Sequence, residues 1–375
     1  MQNSSTALAI AGGARFRFID FLRALASQLI VWHHLAFYGP LSDIAYPLAP
    51  LAIDVLYDYA RMAVQVFLVI GGFLTAQQLA HGPPVRLAAL RSAVARRYRR
   101  IGLPYLVTLV VAIFANALAD RWMDHPSISG PPSVIQFIAH AVFAQDIFNF
   151  EALSAGIWYL AIDFQLFILS FLLVAGANFV AAKFVVFGRL SPFRVLQGLT
   201  WPLALLSLYW INRDPEFDCW ALYFFGSYFF GMVLCWTING ALPRQAFWIY
   251  ALAVALAIVV DWRPRLVVAS ATACLLMIAA RKQFLRTWPR SPVIAYFGKI
   301  SYSLFLIHFP ICLLTNAWFS RWPLSPLQSF GGMVVAYLTG LLGAVAFYNF
   351  IEVPCLKFAS RAPTRSPPDA FVRRL

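Results

Sequence analysis

Residues 219–238 read CWALYFFGSYFFGMVLCWTI, a stretch without a charged side chain. A helix of about 20 apolar residues is long enough to cross the hydrocarbon core of a bilayer. The pattern recurs, with shorter examples among them, at about 18–38, 59–80, 101–119, 154–176, 196–211, 246–261, 264–280, 297–319 and 329–351. These segments lack the alternating pattern of membrane barrel strands. The sequence therefore predicts an all-α integral membrane protein with about ten transmembrane helices.

The composition excludes most soluble classes of protein. Of the 375 residues 61% are hydrophobic and 12% are charged, against roughly 45–50% and 25% in soluble domains. So few charged residues cannot cover the surface of a soluble enzyme of this size, and the chain is too apolar to be disordered. The five cysteines show neither CxxC nor metal-ligand spacing. We therefore expect neither a disulfide scaffold nor a metal site.

The distribution of basic residues predicts the orientation. If the N-terminus is cytoplasmic, 22 of the 29 lysines and arginines fall in cytoplasmic segments and six in external loops, as the positive-inside rule requires. The net charge of +14 is thereby explained without a nucleic-acid partner. We predict a cytoplasmic N-terminal segment (1–17), a transmembrane domain (18–354) and a cytoplasmic tail (355–375), with both termini cytoplasmic.

The first predicted span contains polar side chains that are costly in lipid and therefore candidates for function. Arg23 and His34 are eleven residues apart, which on a helix offsets them by about 20° and separates them by about 16 Å along the axis. His33 points roughly 80° away from Arg23. One face thus combines an anion-binding group with a deeper base. The alternative is a snorkelling arginine and a histidine that hydrogen-bonds between helices.

Polar residues elsewhere, within the spans and at their ends, allow similar alternatives. Arg97 and Arg100 precede the span 101–119, at the cytoplasmic edge of the bilayer, where they suit a bidentate phosphate clamp but also serve as topology determinants. Asp163 lies within a span, where it would orient a histidine, bind a hydroxyl or form an ion pair, for example with Arg23. His308 is either a cavity residue or a structural histidine. Glu352 ends the last span, where an ion pair with the basic rim is the simplest interpretation.

Six segments, in this order, resemble the motifs of acyltransferase family 3, whose members acylate bacterial surface glycans and small molecules. They are Asp20-x-x-Arg23 with His34; Val66–Leu74, with Gly71 in place of serine; Arg97–Pro104, with one extra residue; Trp158–Phe167, with Asp163 in place of glutamate; Gly298–His308, with Phe305 in place of tyrosine; and Glu352–Pro354. The resemblance covers roughly residues 18–354.

The resemblance implies a multi-pass enzyme of the bacterial inner membrane. It would transfer an acyl group, usually acetyl from cytoplasmic acetyl-CoA, to a periplasmic hydroxyl of a glycan, such as exopolysaccharide or O-antigen, or of a small molecule. His34 would be general base or acyl carrier, and Asp163 its catalytic partner. Arg23, Arg97 and Arg100 would hold the CoA phosphates. The remaining expected cavity residues are Asp20, Ser301, Tyr302, His308 and Glu352.

Two other functions remain open at this point. A polyisoprenoid-glycan flippase or transporter would also need many spans and a charged cavity, although no inverted repeat is visible. A succinyltransferase, or a transferase of another acyl group, would use the same fold. The resemblance leaves open the acceptor and a separate periplasmic partner protein, whereas the bilayer and acyl-CoA are the expected partners and no metal is required.

Overall fold

The computed structural model describes residues 16–81, 87–183 and 191–361, which form helices and connecting loops without a β-strand in these ranges. The predicted N-terminal segment therefore lies almost entirely outside the described residues, as does the predicted tail beyond residue 361. The helices are α1 (Arg17–Phe37), α2 (Pro40–Ala45), α3 (Pro50–Asp58), α4 (Val64–His81), α5 (Leu90–Ala119), α6 (Val134–Ala141), α7 (Trp158–Lys183), α8 (Pro192–Tyr209), α9 (Ala221–Ile238), α10 (Arg244–Val260), α11 (Pro264–Arg281), α12 (Phe284–Thr287), α13 (Pro292–Phe319), α14 (Pro326–Phe347) and α15 (Val353–Arg361).

Each of the ten predicted spans overlaps one long helix, which confirms the all-helical fold. In the described ranges, seven helices are long and apolar enough to cross a membrane: Ala60–Leu79, Leu90–Ala119, Trp158–Lys183, Ala221–Ile238, Pro264–Arg281, Pro292–Phe319 and Pro326–Ala359. The helix α10 is apolar but shorter, whereas α1 and α8 carry polar side chains that lower their mean hydropathy. The count of ten and the cytoplasmic termini stay predictions.

Helices α4 and α9 approach each other backbone to backbone. A Cβ atom at Gly72 would overlap the carbonyl oxygen of Tyr228, and one at Gly231 would overlap that of Val69. Only glycine permits this distance, since any side chain would push the helices apart. Of the two adjacent glycines in the second span, Gly71 and Gly72, it is therefore Gly72 that allows this approach. The two helices form one wall of a hydrophobic core shared with α1, α7 and α11.

A second core joins α1, α5, α7, α13 and α14. A Cβ atom at Gly298 would overlap the backbone carbonyl of Asp20, so α13 lies directly against α1. Tyr105 of α5 is fully buried and stacks on Phe143, with ring centroids 5.0 Å apart. Because α1, α5, α7 and α13 share this core, their polar side chains are held in fixed relative positions.

The junction between α14 and α15 is a single turn of π-helix, Tyr348–Glu352. Such a turn inserts an extra residue and redirects the side chains that follow, and it is frequent at functional sites. Here it carries Glu352 into the protein, where the side chain is only 8% exposed. The predicted tail therefore begins as a helix, which continues as far as Arg361.

Candidate functional site

A cavity of about 330 Å³ opens between α1, α5, α7, α13 and α15. Its charged lining comprises four cations and three acids: Arg23, Arg97, Arg100, Lys299, Asp20, Asp163 and Glu352. Six of these seven charged residues, all except Lys299, were predicted for the site. The predicted residues Ser301 and Tyr302 also line the cavity. Charged groups that are dispersed over the sequence are thus gathered in one volume of the size of a small-molecule site.

Asp163 forms an ion pair with Arg97, and the two side chains are 14% and 25% exposed. The guanidinium of Arg97 also lies over the ring of Phe167, 5.2 Å from its centroid. Of the roles open to Asp163, the structure shows the ion pair, with Arg97 of α5 as its partner and not Arg23, the example given above; that Asp163 orients His34 stays a prediction. The Nε of Arg97 is buried and has no hydrogen-bond partner among the described residues, so one donor of this guanidinium is unused.

Glu352, a second acid of the cavity, accepts a hydrogen bond from Ser303 Oγ at 2.5 Å. Ser303 is fully buried on α13, so the bond ties α13 to the π-helical turn. Glu352 lines the cavity together with Arg100 and Lys299, as expected for an acid near a basic rim. Its carboxylate helps to balance their charge within the cavity.

Two predicted hydroxyls are used to hold the helices together. Tyr302 donates to the backbone carbonyl of Ile101 at 2.5 Å, across from α13 to α5. Ser301 donates to the carbonyl of Gly298, 3.0 Å away in its own helix. Both side chains line the cavity, but these bonds already occupy their protons. Each oxygen can still accept a hydrogen bond from a ligand.

His34 and His308 form a second polar centre. Nδ1 of His34 lies 2.7 Å from Nε2 of His308, and the two rings meet edge to edge, with centroids 4.9 Å apart and 14° between their planes. Both are buried, with 5% and 0% exposure. Neither is among the described residues that line the cavity. His33 points away, and its Nδ1 donates to the carbonyl of Leu56 at 3.0 Å, so the predicted divergence of the adjacent histidines is confirmed.

Gly156 and Phe305 connect the histidine pair with the cavity. Gly156 has a φ of +78°, and a Cβ atom there would lie 3.2 Å from His34 Cε1 and 3.5 Å from Phe305 Cε2. Phe305 also lines the cavity. Its ring therefore borders both the charged cavity and the space beside His34.

Sequence reasoning missed several lining residues. Lys299 was counted only as a topology determinant, although it lies within the Gly298–His308 motif. Phe67 and Tyr159 also line the cavity. Their place within the Val66–Leu74 and Trp158–Phe167 motifs is the signal that could have found them, since aromatic residues are frequent in this chain. The positive φ of Gly156 leaves no signal beyond the glycine itself.

The loop between α6 and α7, which carries Gly156, contains a partly buried acid, Asp146. Burial raises the pKa of the Asp146 carboxyl, while a hydrogen bond from Gln145 Nε2 opposes the shift and Asp218 adds to it. That hydrogen bond is 2.8 Å long. Asp146 therefore favours its protonated form in the folded protein more than an exposed aspartate would.

The family model described as an acyltransferase domain, that of acyltransferase family 3, matches residues 16–349. The match includes α1 to α14, and hence every helix that forms the site except α15. Searches of curated proteins and of solved structures give no significant match.

Proposed function

Because the chain belongs to acyltransferase family 3, we propose that this multi-pass membrane acyltransferase is an O-acetyltransferase of the bacterial inner membrane. The donor would be acetyl-CoA from the cytoplasm. The acceptor would be a hydroxyl of an extracytoplasmic glycan, such as exopolysaccharide or O-antigen. Membership in the family supports acyl transfer in general. The acetyl group, the glycan acceptor and the location in the inner membrane are our proposals.

The observation that carries the proposal is the group of four cations in a cavity of about 330 Å³. CoA carries several phosphate charges on its nucleotide end and a reactive thioester at the end of a long, flexible arm. Arginine binds phosphate through two parallel hydrogen bonds, and lysine binds it as a point charge. Arg100 is exposed at the edge of the cavity, which suits the nucleotide, while the cavity itself suits the arm.

The free donor of Arg97 fits the same role. Asp163 holds the guanidinium in place through its ion pair, and the buried Nε remains available. A positioned arginine loses less side-chain entropy when it binds a ligand. We therefore propose that Asp163 acts by positioning Arg97. That Asp163 is catalytic stays a prediction.

His34 is the base in this proposal. The acceptor oxygen would attack the thioester carbonyl while His34 takes the hydroxyl proton; the new C–O bond forms, the C–S bond breaks, and the proton passes to the leaving thiolate. The alternative is a transient acyl-imidazole on His34. Either route requires the thioester to pass the ring of Phe305, since that side chain borders both the cavity and the space beside His34.

The adjacent histidines provide the test. His34→Ala and His33→Ala would be purified in lipid nanodiscs, and the free thiol released from acetyl-CoA would be measured with and without a hydroxylated acceptor. We expect His34→Ala to lose about 10²–10⁴-fold of the activity, the usual contribution of a general base. His33→Ala should keep most of it, since the Nδ1 of His33 points away from His308 and donates to the backbone carbonyl of Leu56. Equal activity of both variants would overturn the role of His34.

The same assay separates the alternatives. A wild-type protein that releases no thiol from acetyl-CoA or from succinyl-CoA would contradict acyl transfer and favour a transporter. Release of thiol from succinyl-CoA alone would support acyl transfer but would show that the transferred group is succinyl and not acetyl. Mass spectrometry of the surface glycan, with and without the protein, would then identify the acceptor.

A further inference from the structure

The hydrogen bonds of His308 determine which of its nitrogens carries a proton. His308 Nδ1 lies 2.7 Å from the carbonyl oxygen of Leu304, in the same helix. A carbonyl oxygen can only accept, so Nδ1 must be the donor. In a neutral imidazole, Nε2 of His308 then has no proton and presents a lone pair.

The neutral form is the one that this environment favours. His308 is completely buried and His34 nearly so, and neither ring contacts a carboxylate within the described residues. A buried charge without a partner costs several kcal/mol or more. The nearest ionisable group of the pair is another histidine, His33, whose ring centroid lies 5.3 Å from that of His34.

The lone pair of His308 fixes the protonation of His34 in turn. Since Nε2 of His308 accepts, Nδ1 of His34, 2.7 Å away, must donate. A neutral His34 then carries its only proton on Nδ1. Its Nε2 is left unprotonated, which is the state that a general base or a nucleophile needs.

The edge of the His34 ring that carries the free nitrogen lies beside Gly156. A Cβ atom at Gly156 would lie 3.2 Å from Cε1 and 3.8 Å from Nε2 of His34, and glycine supplies none. The backbone there has a positive φ of 78°, which disfavours any other residue. The space beside Nε2 is thus kept clear by both the residue type and its conformation.

We propose that His308 is the positioning residue of His34: through the series Leu304 carbonyl, His308, His34, it selects the tautomer whose Nε2 faces the space beside Gly156. This inference rests on the proposed function. When His34 takes the acceptor proton on Nε2, its Nδ1–H still donates to His308, so the new cation keeps a hydrogen-bond acceptor. The proton then leaves from Nε2 to the CoA thiolate, and His308 stays neutral throughout.

The test replaces His308 by two residues of opposite character. His308→Gln offers a side-chain carbonyl that can accept from His34, whereas His308→Phe keeps the volume and the apolar contacts but cannot accept. We expect His308→Phe to lower kcat at least 100-fold with little change in KM for acetyl-CoA, and His308→Gln to retain at least tenfold more activity. His33→Phe controls for the substitution itself. A purely structural histidine would give the reverse order, because phenylalanine suits the apolar surroundings better.

A second measurement does not depend on turnover. Solid-state NMR of ¹⁵N-histidine-labelled protein in lipid, with His34 assigned by difference from His34→Ala, reports which nitrogen carries the proton. We expect an unprotonated Nε2 in the wild type and a protonated Nε2 in His308→Phe. A protonated Nε2 in the wild type would overturn the inference even if acyl transfer is confirmed. An inactive wild type with the expected tautomer would contradict the proposed function and leave the tautomer assignment intact.

Discussion

The ion pair between Arg97 and Asp163 allows a prediction in which stability and ligand binding rank the variants in different orders. The four proteins of a double-mutant cycle are the wild type, Arg97→Ala, Asp163→Ala and the double variant. Each single change leaves one partly buried charge without its partner. The double change removes both charges, so it should cost less than the sum of the two single changes.

The magnitude follows from the exposure of the two side chains. Fully exposed pairs contribute about 0–1 kcal/mol, and removing one member of a fully buried pair costs about 3–5 kcal/mol. Asp163 is 14% exposed and Arg97 25%, so we expect an intermediate loss of about 2 kcal/mol for each single variant, in line with those two limits. The double variant should be at least as stable as either single variant.

Binding of acetyl-CoA should follow another order. Losing a charge-assisted hydrogen bond to phosphate costs about 1.5–3 kcal/mol, so Arg97→Ala should weaken binding about 10–150-fold. Asp163→Ala keeps the guanidinium and loses only the anion that positions it, so it should weaken binding by less than Arg97→Ala does.

The assays are thermal unfolding in lipid nanodiscs and titration calorimetry with acetyl-CoA. Arg96→Ala is the matched control, because Arg96 is exposed on the same helix and is not among the described residues of the cavity. Strictly additive losses of stability would refute the coupling. An acetyl-CoA affinity of Arg97→Ala equal to that of the wild type would refute the role of Arg97 as a phosphate ligand.

Three further predictions concern separate features. Gly156→Ala should reduce kcat strongly with little effect on acetyl-CoA affinity, because its methyl group would occupy the space beside His34 and its φ is positive; unchanged kcat would contradict this. Lys299→Ala should weaken acetyl-CoA binding by calorimetry, and Lys299→Arg should restore it, whereas equal binding by all three proteins would show that its charge is not used. Because folding raises the pKa of Asp146, the contribution of this carboxyl to stability is favourable below its unfolded pKa and is lost as the pH rises through its folded pKa. The stability of Asp146→Asn relative to the wild type should therefore be greater at pH 7 than at pH 4. The same pH dependence of thermal unfolding in both proteins would contradict this prediction.

The sequence was sufficient for the parts of the structure that depend on one helix at a time. Hydropathy located the helices because each span must be apolar along its own length. The angle between His33 and His34 followed from helix geometry, since it involves a single helix. Most predicted charged residues reached one cavity because charges in spans avoid lipid and turn to the interior of the bundle.

The parts that were missed depend on contacts between helices. The partner of Asp163 had several candidates, and only the packing of α5 against α7 selects Arg97. The bond between His34 and His308 joins residues 274 positions apart, and no periodicity encodes such a pairing. Phe305 was noted only as a departure from the tyrosine of the motif, although its ring borders the cavity and the space beside His34.

The close approach of α4 and α9 also determines which side of the cavity can move. Where carbonyl oxygens face glycines at Gly72 and Gly231, no side chains lie between the helices that could change rotamer. Sliding of packed helices proceeds through small side-chain adjustments, so this pair must move as one rigid body. Gly298 holds α13 against α1 in the same way, since a Cβ atom there would overlap the backbone carbonyl of Asp20. Close glycine contacts thus hold both α4, which contributes Phe67 to the cavity, and α13, which contributes Phe305. The helix α15, which contributes Leu356, has no glycine contact of this kind among the described residues, so we expect entry of a ligand as long as acyl-CoA to depend on motion of α15.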